Sequence, residues 1–179
     1  MKHPRLCAKF GALTLAGALA WGALLHPYKA NANDDNPGSG DGASYLITVT
    51  DSNGNFFTRG ILTLHADHTM SVVEADSGGP TYYFTSELGS WRLDDTGGVI
   101  GRALDFDLYG HTIYPDGDVA RVDYTMSFQD DSPLRGIVGT ETVTIFPLQS
   151  NPLGGGGTTL GTFNFTGQLI TPPRTRSRP

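Results

Sequence analysis

Asp105 and Asp107 stand two residues apart, as do Arg121 and Asp123, and that spacing puts each pair on one face of a β-strand. If the two strands are neighbours and these faces meet, cross-strand Asp–Arg contacts follow, and two readings stay open. On a solvated outer face the contacts are ion pairs worth roughly 0–1 kcal/mol. In an enclosed interior a desolvated Asp beside Arg becomes a general base, with His111 as a further proton carrier. Arg102 stands on the opposite face of its strand, among Ile100, Leu104 and Phe106. Inside, it needs a partner such as Glu74 or a bound carboxylate; near an open end its stem packs while its head reaches water.

Other chemistries find little support. His65 and His68 flank one turn and His111 begins another, with no paired spacing on one element, so no metal site is expected. The run Asp51-Ser52-Asn53-Gly54-Asn55 starts like a calcium loop, but Phe56 and Leu62 stand where that loop needs its Gly and its bidentate Glu, which makes it a turn. Gly154 to Gly157 lacks the Lys and the following helix of a phosphate loop. No cofactor is expected.

The first 32 residues have the three parts of a secretory signal: a basic start (Lys2, Arg5, Lys9), an apolar stretch from Phe10 to Leu25, and Ala30-Asn31-Ala32 for cleavage. The apolar stretch has 16 residues, short of the roughly 20 of a spanning helix. The expectation is an exported chain, secreted or periplasmic, with no membrane span after cleavage. Beyond residue 32 there is no Cys and no Lys, and eight Arg face fifteen Asp and three Glu, a net charge of −10. That excludes thiol and Schiff-base nucleophiles and argues against nucleic acid as a partner. Without disulfides the domain must rest on its own core.

The elements that position these residues are strands. Residues 33–43 read as a disordered lead-in and 172–179 as a disordered basic tail. Between them, over 44–171, β-type runs alternate with Asp/Gly/Asn/Pro turn clusters and no helical period intervenes. The runs are Tyr45 to Thr50, Phe56 to His65, Met70 to Ala75, Thr81 to Thr85, Gly89 to Leu93, Val99 to Leu108, Val119 to Gln129, Gly136 to Leu148 and Thr162 to Thr171. Short hairpins joining so many strands predict an all-β domain, an antiparallel up-and-down β-barrel of about eight strands, in preference to a sandwich.

Gly89-Ser90-Trp91 resembles the Gly-x-Trp signature of the lipocalins and related calycin barrels, in which the Trp closes one end of the barrel. Here the tripeptide lies well past the first strand, and no Arg stands in the last strand to stack on the Trp. The strand count is also similar to allene oxide cyclase and dirigent barrels. The resemblance implies a barrel fold; an eight-stranded barrel has room for side chains or for one small ligand, and the expected lining is Tyr45, Tyr82, Phe84, Trp91, Arg102, Leu104, Phe106, Tyr124 and Phe128. Three functions follow as expectations. The first is binding of a small apolar or aromatic molecule. The second is a cofactor-independent cyclase or isomerase using Asp105, Asp107, Arg121, Asp123 or His111. The third is a structural exported protein without a ligand, and self-association into a homo-oligomer is open in each case.

Overall fold

The computed structural model describes residues 42–75, 84–107, 112–131 and 135–172. Eight strands run in chain order: β1 Ala43–Thr50, β2 Phe56–Leu64, β3 Thr69–Glu74, β4 Glu87–Leu93, β5 Val99–Asp107, β6 Asp118–Phe128, β7 Ile137–Pro147 and β8 Thr158–Leu169. Each pairs antiparallel with the next, and β8 returns to β1 with Tyr45 opposite Leu169 and Thr50 opposite Asn164. The result is a closed eight-stranded meander, as the alternation predicts. Among the described residues there is no α-helix, only the 3₁₀ turn Gln129–Asp131.

Turn chemistry sets the hairpins. Asp51 accepts the backbone amides of Asn53 and Asn55 through Oδ1, each at 2.8 Å, and Gly54 takes the positive φ of the turn. Asp67 does the same for Thr69, and Asp94 for Thr96 and Gly98. The sequence that starts like a calcium loop is therefore an Asx turn whose carboxylate is occupied by its own backbone.

Alternation along the strands fills the barrel. Tyr45, Ile47 and Val49 of β1, Leu62 and Leu64 of β2, Met70 and Val72 of β3, and Val122, Tyr124 and Met126 of β6 form one buried cluster with Val99, Ala103, Ile137 and Phe165. The half-buried Trp91, Phe128 and Leu169 pack against this cluster. Trp91 is held there by its indole N–H, which donates to the His65 carbonyl at 3.0 Å, and by the His68 ring 5.0 Å away.

Two sequence expectations change. The last strand begins at Thr158 rather than Thr162, because Thr158 and Thr159 still pair with β7 beyond a bulge at Val143/Thr144. Of the expected strand Thr81 to Thr85, residues 81–83 lie outside the described residues, and Phe84 makes a single bridge to Asp107. The expected lead-in to residue 41, the leader and the tail from residue 173 also lie outside them.

Candidate functional site

The larger correction concerns β5. Its bulky row, Ile100, Arg102, Leu104 and Phe106, faces outward, and its small and acidic row, Gly101, Ala103 and Asp105, faces the interior. Crowding explains the choice. A Cβ on Gly89 of β4 would lie 1.9 Å from the Arg102 carbonyl oxygen, and one on Gly101 would lie 2.7 Å from the Met70 sulfur. With the β4 backbone and Met70 so near, only Gly and Ala fit at positions 101 and 103, and the period of two throws Ile100, Arg102 and Leu104 out. Arg102, Leu104 and Phe106 are therefore not lumen lining.

The outward rows of β5 and β6 account for the arginines. Arg102 lies opposite Asp123 in the register, and its Nε meets Asp123 Oδ1 at 2.5 Å. Arg121 meets the other Asp123 oxygen at 3.0 Å. Its guanidinium also donates to the carbonyls of Pro152 and Gly154, at 2.9 and 3.0 Å, and lies 5.0 Å from the centre of the Phe146 ring. Arg121 thus fastens the loop between β7 and β8 to the outside of the barrel. Arg102 finds Asp123 rather than Glu74, and the Arg121/Asp123 pair does not meet Asp105 and Asp107, which point the opposite way.

The two aspartates open the interior end of the barrel. A cavity of about 160 Å³ there is walled by Ala120, Val122, Val143 and Ile145, with Phe57, Phe84, Ile113, Leu160 and Phe163 around it. Phe57 and Phe163 stack with ring centres 4.7 Å apart. Into this apolar space project five carboxyl groups: Glu74 from β3, Glu87 from β4, Asp105 and Asp107 from β5, and Glu141 from β7. Glu87, Asp105 and Glu141 are each only 4% exposed. The Tyr124 hydroxyl, buried on β6, donates to Glu87 Oε2 at 2.7 Å. Among the described residues, no Arg, Lys or His lines the cavity.

Such an arrangement moves protons onto the acids. Burial, reinforced by Asp105, Glu74 and Glu141 against the opposing Tyr124 hydrogen bond, raises Glu87 well above the usual carboxylate range. Burial and the neighbouring Asp107 raise Asp105 to about 8. Burial first, and the charge of Glu87 next, push Tyr124 well above its ordinary value. Near neutral pH Asp105 therefore carries a proton. Asp105 Oδ1 is buried with no hydrogen-bond partner among the described residues, an orphan acceptor in a place where such groups are costly.

Of the expected lining, Phe84 borders the cavity and Tyr124 reaches its acids. Tyr45 sits in the core, and Trp91 and Phe128 are partly buried against it. Tyr82 and His111 lie outside the described residues. Sequence reasoning missed Glu87 and Glu141, although a signal was present. Beyond residue 32 the chain has three Glu among eighteen acids; all three stand in strands, and all three line the cavity. Comparison with known proteins finds no match to a protein-family model, to a curated protein or to a solved structure.

Proposed function

We propose that this chain is an exported barrel that binds a small apolar or aromatic molecule in the open end of its lumen. The observation that carries the reading is the cavity of about 160 Å³, with aliphatic walls and aromatic side chains around it. That is about the size of cavity that takes up benzene when dry and apolar, and it adds a few hydrogen-bonding groups of the kind that orient a ligand. The likeness of Gly89-Ser90-Trp91 to the lipocalin signature supports the same reading, and Trp91 packs against the core. Export rests on the three-part leader.

A proton-transfer enzyme is the second reading, favoured by Asp105, whose raised value of about 8 suits a general acid or base. Binding is preferred because, among the described residues, no cationic side chain lines the cavity to hold an anionic intermediate. Titration of the protein with benzyl alcohol, followed by methyl NMR, tests the reading. Saturable shifts should centre on Val122, Val143 and Ile145 and vanish in Val143→Phe, which fills the space. No saturable shift up to the solubility of the ligand would leave a structural protein without a ligand.

A further inference from the structure

We propose that the ligand of the lumen is a small hydroxylated ring, whose O–H donates to Asp105 Oδ1 while the ring lies against Val122, Val143 and Ile145. This deepens the binding reading and rests on it.

Asp105 lines the cavity, is 4% exposed, and its Oδ1 has no hydrogen-bond partner among the described residues. The register explains why. Across the β5–β6 ladder Asp105 lies opposite Ala120, whose methyl group has nothing to donate. Tyr124 stands further along β6, opposite Gly101, and its hydroxyl donates instead to Glu87 Oε2 at 2.7 Å. A carboxyl group keeps an acceptor oxygen in either protonation state, since the neutral acid retains a carbonyl oxygen with both lone pairs. A molecule that fills the cavity shuts this oxygen off from water. It must then bring a donor of its own, or leave a buried acceptor bare at a cost of about tenfold or more in affinity.

Size and surroundings narrow down what carries the donor. A space of about 160 Å³ admits one ring with a small substituent. Ala120, Val122, Val143 and Ile145 give it aliphatic walls, and the stacked pair Phe57 and Phe163 borders it with aromatic surface. Burial, with Asp107 beside it, raises Asp105 to about 8, so near neutral pH the group is a neutral acid with one O–H of its own. A hydroxyl suits such an acid because it donates and accepts at the same atom: it can give its hydrogen to Oδ1 and take the one that the acid offers. An ether oxygen only accepts, and would leave Oδ1 bare.

p-Cresol and anisole are isomers, each a single ring with the same atoms, and only p-cresol carries an O–H. Titration of the intact protein with each at neutral pH, followed by methyl NMR, should show p-cresol binding about tenfold or more tighter. In Asp105→Leu, which keeps the size of the side chain and removes the acceptor, the two affinities should come within about threefold. On the unaltered protein, the Asp105 carboxyl carbon signal should move further on saturation with p-cresol than with anisole. Anisole binding as tightly as p-cresol would overturn the hydroxyl requirement and leave the binding reading standing. An undiminished preference for p-cresol in Asp105→Leu, or equal movement of the carboxyl signal, would overturn the assignment to Asp105; the carboxyl signal decides this even if the Leu variant does not fold. Binding of neither isomer would overturn the proposal, and the binding reading falls with it only if benzyl alcohol too gives no saturable shift.

Discussion

Aspartate and glutamate divide the acidic burden of this chain by side-chain length. Asp51, Asp67 and Asp94 sit in turns, where a short carboxylate reaches its own backbone, and hydrogen bonds from Asn55, Thr69 and Thr96 respectively hold them below the usual range. Glu74, Glu87 and Glu141 stand in strands, where one more methylene carries the carboxyl into the lumen. Asp105 is the aspartate that behaves like a glutamate. Its folded-state value of about 8 exceeds its value of 3.8 in the unfolded chain. The native state therefore holds a proton that the unfolded state has lost, and stability falls as pH rises from about 4 to about 8. The slope should approach 1.4 kcal/mol per pH unit for each such group, and Glu87 adds to it in the same direction. Urea unfolding across this range should show the decline, and Asp105→Asn should flatten it. A flat profile in the unaltered protein would mean that the interior acids are solvated. The sequence announces the pair Asp105/Asp107 but not its orientation, since a two-residue spacing is the same on either face of a strand.

At the scale of elements, most strands declare their inward face through their apolar row, as Leu62 and Leu64 in β2 and Val122, Tyr124 and Met126 in β6 do. β5 does not, because its apolar row is its outer one. Its phase is fixed by what crosses beside it, namely the backbone of Gly89 and the Met70 sulfur, and no local pattern contains them. β8 was legible from Thr162 onward but not from Thr158, because Thr158 to Leu160 follow a glycine run and join the ladder only through the bulge opposite Val143. The β4–β5 contact also makes Gly89 the least replaceable glycine of the barrel. Gly89→Ala would set a methyl 1.9 Å from the Arg102 carbonyl oxygen, and backbone, unlike a side-chain tip, cannot swing aside. The expected loss is about 1–3 kcal/mol or more, the usual cost of overpacking. Gly155→Ala, with open space around its Cβ, should change little; equal thermal shifts in the two variants would show that the strands yield.

For the whole molecule, the meander gives each strand its sequence neighbour, but the last contact joins the ends of the domain. Tyr45 lies opposite Leu169, and the Ile170 amide donates to the Ser44 carbonyl at 2.8 Å. A short Gly/Ser linker should therefore join residues 43 and 170, with new termini opened between Gly155 and Gly156 in the exposed loop. This circular permutant should melt within about 5 °C of the parent, a change worth about 1 kcal/mol. A larger drop would show that the order of synthesis matters to the finished fold. The same seam has a consequence in time. Until β8 exists, the outer edges of β1 and β7 both present unpaired amides and carbonyls, and two such edges invite pairing with other chains. Because the joining strands are the most distant in sequence, the ring closes only after every hairpin is in place. A chain stalled before Thr158 is thus an open ribbon with two adhesive borders, and the completed one has none.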